Sequence, residues 1–186
     1  MKGLKVLLFG MCMALCACSS QTSTVQTSDK GTRWQWENGT IVVETPERPA
    51  GQKSVIGLAL PKMEAVRVGF VGLGMRGPGA VERFTHIPGT QVVALCDYEQ
   101  ERAERCQKYL EQASMPKAAV YSGEKGYEEL CKRDDIDLVY IATDWLHHFP
   151  VAMCAMENGK NVAIEVPSAM NLKECWVLIN MSGKPR

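Results

Sequence analysis

The chain has 186 residues, of which 21 are lysine or arginine and 21 are aspartate or glutamate, so its formal net charge at pH 7 is zero. This balance excludes a strong overall attraction to nucleic acid or to another highly charged partner. The 46% hydrophobic content is that of a soluble globular protein. About 150 residues follow the N-terminal region, which is enough for one α/β domain with a sizeable core.

The N-terminus has the pattern of a secretory signal peptide. Lys2 and Lys5 flank the start of a short apolar run at residues 6–15, which is too short to span a bilayer comfortably. The segment Leu15-Cys16-Ala17-Cys18 that ends it resembles the lipobox of bacterial lipoproteins, in which the cysteine, here Cys18, is acylated and becomes the new N-terminus. We therefore expect export and lipid anchoring to a membrane of the bacterial cell envelope. The alternative is a plain cleaved signal peptide.

Two further segments precede the main domain. After a signal peptide at residues 1–17, residues 18–32 are rich in Ser, Thr and Gln, which predicts a flexible tether. Residues 33–62 contain two tryptophans and the turn dipeptide Asn38-Gly39 before a β-branched run. That pattern predicts a small hairpin or arm.

A glycine motif is the most informative feature of the sequence. Residues 65–71 form an apolar run typical of a buried strand, and Gly72-Leu73-Gly74-Met75-Arg76-Gly77 follows it directly. In such a motif Gly72 makes the tight turn, Gly74 lets the backbone approach the phosphates, and Gly77 lets helix and strand pack closely. The helix that begins here offers free N–H groups to a pyrophosphate.

An acidic residue stands where this motif requires one. The apolar run at residues 91–96 ends at Asp97, twenty residues after Gly77. A carboxylate at this point accepts hydrogen bonds from the adenosine ribose hydroxyls, and its charge favours NAD over NADP. Strand, glycine turn, helix start and acid in register predict a dinucleotide site. The alternative is a glycine turn that serves packing only.

Strand and helix patterns alternate through residues 63–182. This alternation predicts an α/β fold, a Rossmann-type doubly wound parallel sheet with helices on both faces. Ligands of such sheets bind beyond the carboxyl ends of the strands. The predicted elements after Asp97 are a helix at 99–113, a weak strand at 118–121, a short helix at 124–132, a strand at 137–142, a helix ending at 158–159, a strand at 161–164 and a last helix after Asn171.

The cysteines after the signal region do not form a metal-binding or disulfide pattern. Neither a Cys-x-x-Cys motif nor a Cys/His ligand spacing occurs, so no metal site is predicted. Five thiols are instead expected to pack as small apolar groups, namely those of Cys96, Cys106, Cys131, Cys154 and Cys175.

Four motifs together resemble the Gfo/Idh/MocA oxidoreductase family. They are the glycine loop, the acid after the second strand, a Thr-x-x-x-x-His segment from Thr143 to His148, and a Glu-x-Pro segment from Glu165 to Pro167. The resemblance implies a nucleotide-binding domain over about residues 65–182. Ordinary dehydrogenases of this family have a lysine where this chain has Val166, and that lysine helps polarise the substrate hydroxyl. Valine has no hydrogen-bond donor to do so.

Within that family, Glu165-Val166-Pro167 and the glycine loop look like glycoside hydrolase family 109, typified by α-N-acetylgalactosaminidases. This resemblance implies a bound NAD that takes a hydride from sugar C3. The C2 proton beside the new ketone becomes acidic, and its loss breaks the glycosidic bond by elimination. Water then adds, and the hydride returns to the sugar. A sugar or glycoside is then the substrate of the full-length form. By position, the implied NAD contacts fall on Met75, Arg76, Asp97, Trp145, Leu146, His147, His148, Glu165, Val166 and Asn180.

Three functions stay open on the sequence alone. The chain is the nucleotide half of an NAD-dependent glycosidase, part of a sugar or cyclitol dehydrogenase, or a truncated lipoprotein that binds NAD without catalysis. Its last helical pattern stops at residues 181–186. We therefore expect the C-terminal substrate domain and its catalytic residues to be missing, and the chain alone to be inactive. The sequence leaves the oligomeric state open.

Overall fold

The computed structural model describes residues 24–28 and 33–184. They divide into two compact units, one ending at Glu44 and the other beginning at Thr45. The predicted signal peptide and the lipidation site Cys18 lie outside the described residues. None of the helices in the described part of the chain is long and apolar enough to cross a membrane.

The first unit is a small antiparallel sheet. Strands β2 (Arg33–Glu37) and β3 (Thr40–Val43) form a hairpin within the arm predicted at residues 33–62, and residues 44–62 contain no helix or strand. Its turn residues Asn38 and Gly39 both have positive φ, 50° and 77°, as a two-residue hairpin turn requires. Strand β1 (Gln26–Thr27) pairs with β2, although these two residues were predicted to belong to a flexible tether. The reason for this difference is that the open edge of β2 supplies backbone partners to an extended chain.

The second unit is a five-stranded parallel sheet in the order β6-β5-β4-β7-β8, which confirms the predicted Rossmann-type fold. The winding direction changes at β4, because β5 and β6 extend the sheet to one side and β7 and β8 to the other. The strands are β4 (Val66–Val71), β5 (Thr90–Asp97), β6 (Ala119–Ser122), β7 (Leu138–Ile141) and β8 (Asn161–Ile164); the helices are α1 (Gly77–Thr85), α2 (Gln100–Gln112), α3 (Gly126–Cys131), α4 (Trp145–Glu157) and α5 (Leu172–Ser182).

The core consists of two clusters, because successive side chains of a strand point to opposite faces of the sheet. Phe70 of β4 belongs to the cluster formed with α1 and α2, where its ring packs on those of Phe84 and Tyr140. Its neighbour Val71 belongs to the cluster formed with α3 and α4, which includes Val151. Each fully buried large apolar side chain contributes about 1.5–3 kcal/mol.

The cysteines behave as small apolar residues, as predicted. Cys96, Cys106 and Cys131 are buried, whereas Cys154 and Cys175 are half-buried. Burial, together with the nearby charge of Asp97, raises the pKa of the Cys96 thiol to about 12. This thiol is therefore protonated at neutral pH.

An ion pair links β4 to the residue that precedes β7, at the amino-terminal ends of the strands. The Arg67 guanidinium donates from Nη2 to Asp137 Oδ1 at 2.7 Å and from Nε to Oδ2 at 2.9 Å, and the Arg67 backbone N–H donates to the same Oδ2 at 2.8 Å. These hydrogen bonds from Arg67 hold the pKa of Asp137 below its ordinary value, although burial partly offsets them.

We predict that Asp137→Asn destabilises the protein by about 1 kcal/mol at pH 7, because the pair is partly solvent-screened. The folded-state pKa of Asp137 is depressed, so its contribution is complete above the unfolded value of about 3.9 and disappears as pH falls through the folded value. Urea denaturation from pH 7 to pH 3 measures this difference. The neighbouring carboxylate variant Asp134→Asn is the control. Equal losses in both variants, or a loss that does not change with pH, would contradict the prediction.

Candidate functional site

The glycine loop between β4 and α1 is shaped by close backbone contacts. Gly72 has φ +91°, and a Cβ on it would lie 2.4 Å from the backbone nitrogen of Thr143. A Cβ on Gly77 would lie 2.0 Å from the carbonyl oxygen of Gly72. At Gly74, in contrast, the nearest atom to an added Cβ is 3.7 Å away, on Arg102. The first and third glycines are therefore required by packing, and the second leaves room beside the loop.

The N-terminus of α1 is suited to an anion. The helix begins at Gly77 with Pro78 in its first turn, and no side chain in the described chain caps its N-terminus. Its first turn contains no acidic residue. Uncapped N–H groups and the positive end of the helix dipole favour a phosphate at this point. Arg76, the residue before the helix, is exposed and lines the adjoining cavity.

Asp97 connects the end of β5 to the glycine loop. Its Oδ2 accepts a hydrogen bond from the Leu73 N–H at 2.6 Å, and its Oδ1 accepts one from the Glu99 N–H at 3.0 Å. The residue is 6% exposed and lines the cavity. Because an ionised carboxylate has about four acceptor positions, these two amides leave capacity for a ligand hydroxyl. Asp97 is thus a structural anchor as well as the predicted ribose acceptor.

The loop after β7 begins helix α4 with a capped and hydrogen-bonded turn. Asp144 Oδ1 accepts the N–H groups of Leu146 at 2.9 Å and His147 at 3.3 Å, and its Oδ2 lies 2.6 Å from His147 Nδ1. Burial raises the pKa of Asp144, but the hydrogen bonds from His147 and Leu146 outweigh it and the net shift is downward. Trp145 and Leu146 are exposed at the rim of the cavity.

His148 joins the two loops that follow β7 and β8. It is 1% exposed, with Nδ1 2.7 Å from the Pro167 carbonyl oxygen and Nε2 3.1 Å from the Thr143 carbonyl oxygen. The sequence predicts a cofactor contact for this residue. The structure shows that both ring nitrogens face backbone carbonyls, because the first turn of α4 directs the imidazole inward. His148 therefore holds the shape of the cavity wall.

The segment after β8 presents one anchored and one free side chain. Glu165 Oε1 accepts a hydrogen bond from the Tyr140 hydroxyl at 2.6 Å. Burial and the neighbouring Glu165 carboxylate raise the pKa of Tyr140, so this hydroxyl is a donor at neutral pH. Val166 is 84% exposed and lines the cavity. The Glu165 carboxylate is thus fixed in position while the next side chain is open to a ligand.

These loops enclose a cavity of about 1280 Å³ at the carboxyl ends of the strands. In the part of the chain that the structure describes, no group of three or more His, Cys, Asp or Glu side chains could hold a metal ion. Most of the sequence-predicted site residues line the cavity, namely Gly72, Gly74, Met75, Arg76, Asp97, Trp145, Leu146, His147, His148, Glu165 and Val166.

Two predicted residues do not line this cavity. Gly77 packs against Gly72 instead, as its predicted packing role requires. Asn180 is half-buried on α5, which packs against α4, and its NAD contact stays a prediction. Sequence reasoning missed Arg102, which lies 3.6 Å from Asp97. Its position one helical turn beyond the end of β5 was the available signal, because the first turn of α2 must lie beside that carboxylate.

A parallel sheet wound in both directions from β4, a glycine turn into an uncapped helix, and an acid at the end of β5 define a dinucleotide-binding protein of Rossmann type. The family model described as "Oxidoreductase family, NAD-binding Rossmann fold" matches residues 66–184. The chain belongs to this Gfo/Idh/MocA family, and its cofactor is NAD.

Relatives and solved structures agree with this membership. The chain is 75% identical to glycosyl hydrolase family 109 protein 4 of Phocaeicola vulgatus, over all of this chain and 36% of the relative. Myo-inositol dehydrogenase from Lactobacillus casei, solved with NAD(H) and myo-inositol, is 26% identical with a TM-score of 0.55, over 63% of this chain and 33% of that chain. The 3-ketoreductase KijD10 from Actinomadura kijaniata, solved with NADP, is 25% identical with a TM-score of 0.54, over 63% of this chain and 34% of that one. The chain spans about a third of the length of these relatives.

We predict that Gly72→Ala lowers the stability of the protein by at least about 2 kcal/mol and abolishes measurable NAD binding, because the new Cβ collides with backbone atoms of the β7 loop. Gly159→Ala is the matched control, since Gly159 also has positive φ, +75°, but nothing lies within 4 Å of an added Cβ. Urea denaturation and calorimetric titration with NAD measure the two effects. Equal behaviour of the two variants would show that the close approach at Gly72 is unimportant.

Proposed function

We propose that this chain is the cofactor-binding part of an NAD-dependent glycosidase of the α-N-acetylgalactosaminidase type. The observation that carries the proposal is Val166, an exposed valine in the cavity at the position where the family's ordinary dehydrogenases have lysine. The 75% identity to a glycosyl hydrolase family 109 protein supports it.

The residues that line the cavity have the donors and acceptors that NAD requires. The amides at the start of α1 and the space beside Gly74 suit the pyrophosphate, and Asp97 has acceptor positions for the adenosine ribose. The loops after β7 and β8 form the other end of the cavity, where Glu165 is held by Tyr140. Bound NAD supplies a hydride acceptor that can take a hydride from a sugar carbon and return it.

The open position at Val166 has a direct chemical consequence. Valine cannot donate a hydrogen bond to a substrate hydroxyl or stabilise an alkoxide, so this wall of the cavity gives little help to a net oxidation that releases NADH. A reaction that returns the hydride within one turnover requires no release of NADH. The glycosidase also takes a hydride from a sugar C–OH carbon, so the proton of that hydroxyl must go to a group other than Val166. What favours the glycosidase is that Glu165-Val166-Pro167 resembles glycoside hydrolase family 109, to which the 75% identical relative also belongs.

A sugar or cyclitol dehydrogenase is the second candidate. The observation in its favour is the shared fold with myo-inositol dehydrogenase, at 26% identity. A dehydrogenase consumes one NAD for each substrate oxidised, whereas the proposed glycosidase regenerates it. The balance of NADH therefore separates the two functions.

We predict that a chimera, in which this chain is continued by the residues that follow the matched region of the Phocaeicola vulgatus relative, hydrolyses aryl α-N-acetylgalactosaminides with catalytic amounts of NAD. The expected result is aryl alcohol release that far exceeds the NADH formed, measured together by absorbance. A chimera carrying Gly72→Ala is the control for cofactor dependence. NADH formed in equal amount to oxidised sugar, without aryl release, would instead establish the dehydrogenase.

We also infer that the protein is exported and lipid-anchored through Cys18. The support is the lysine-flanked apolar run and the segment Leu15-Cys16-Ala17-Cys18. Two or three acyl chains are expected, because a single chain anchors only marginally. Mass spectrometry of the membrane fraction should find an acylated N-terminal Cys18, and Cys18→Ala should lose it. A product with an unmodified N-terminus at another residue would contradict the anchor.

A further inference from the structure

Three charged side chains meet at the end of β5, beside the glycine loop. Arg102, in the first turn of α2, places Nη1 3.6 Å from Asp97 Oδ1 and Nη2 3.0 Å from Glu99 Oε1. The same Nη1 lies 3.7 Å from the position of a Cβ on Gly74. The guanidinium therefore stands over the loop, next to the carboxylate that suits the adenosine ribose.

The charges of this cluster do not cancel. Two carboxylates surround one guanidinium, which leaves a net charge of about −1 where the ribose 2′ position belongs. The neutral 2′-hydroxyl of NAD is compatible with that charge, and the 2′-phosphate of NADP is repelled by it. Arg102 is the kind of cation that could receive a 2′-phosphate, but both carboxylates already engage it.

The two carboxylates are held very differently. Asp97 is 6% exposed and accepts two backbone N–H groups, so it is part of the framework of the loop. The Glu99 side chain is 54% exposed, and its contact with Arg102 is a surface ion pair of the i,i+3 type. Such a pair is weak, so Glu99 can be changed without loss of the fold.

We propose that Glu99 is a specificity-determining residue, which excludes NADP by keeping Arg102 paired, so that the guanidinium is not available to a 2′-phosphate. The proposal goes beyond the acid at Asp97, and it rests on the NAD site of the proposed function. Removing the Glu99 charge lowers the repulsion and frees Arg102 to pair with the 2′-phosphate. The dinucleotide preference is thus set by the residue that precedes α2 as well as by the end of the strand.

The test is calorimetric titration of the full chain and its variants with NAD and with NADP. We expect the unmodified chain to prefer NAD, and Glu99→Gln to raise NADP affinity about tenfold while NAD affinity changes less than about twofold. The double variant Glu99→Gln/Arg102→Gln should show no gain in NADP affinity, because it lacks the Arg102 guanidinium that would pair with the 2′-phosphate. Glu101→Gln removes an exposed charge from the same helical turn and should leave NADP affinity near that of the unmodified chain.

Each contrary result has a separate meaning. An unchanged NADP affinity in Glu99→Gln, or a gain that survives in the double variant, would overturn the role of Glu99 and Arg102 while NAD binding stands. An equal gain in NADP affinity in Glu101→Gln would show that loss of any nearby negative charge has this effect. That result would also overturn the role of Glu99. Failure of the folded, unmodified chain to bind NAD would overturn the cofactor site itself, and this inference with it. Circular dichroism of every variant checks that it is folded.

Discussion

The structure depends on the close approach of the glycine loop to the strands on either side of β4. A Cβ on Gly72 would collide with the backbone at Thr143, and one on Gly77 with the carbonyl of Gly72, so neither position has room for a side chain. The Asp97 carboxylate then fixes the loop from the side of β5 through the Leu73 N–H. With the turn held in this way, the first turn of α1 begins directly at the switch point of the sheet, where uncapped N–H groups can receive a phosphate.

The amino-terminal and carboxyl ends of the parallel strands have different roles. At the amino-terminal ends of the strands, Arg67 and Asp137 hydrogen-bond to each other, so these side chains are not available to a ligand. At the carboxyl edge, polar groups are fixed by the backbone while part of their hydrogen-bonding capacity remains, as at Asp97. The His148 ring lies between the carbonyl oxygens of Pro167 and Thr143, and its N–H donates to one of them according to the tautomer, which ties the two loops of the cavity wall together.

Local patterns predicted the fold well, because strand alternation, turn chemistry and helix caps are properties of neighbouring residues. The hairpin turn at Asn38-Gly39 and the start of α5 directly after Asn171, which accepts the Glu174 N–H at 3.0 Å, are examples. The site was predicted less completely, because contacts between distant segments decide it. Arg102 was missed although its place in the first turn of α2 was a signal, because its 3.6 Å approach to Asp97 depends on how α2 packs beside β5.

Hydrogen exchange of the backbone amides with and without NAD tests the central claim, a nucleotide site at the carboxyl edge of the sheet, most directly. NAD should slow exchange in the glycine loop at residues 72–77 and in the segments that follow β7 and β8, because bound phosphates and rings cover these amides. Amides at the opposite edge, such as that of Arg67, should not change. Slowed exchange confined to that opposite edge, or no change in the glycine loop at saturating NAD, would contradict the account.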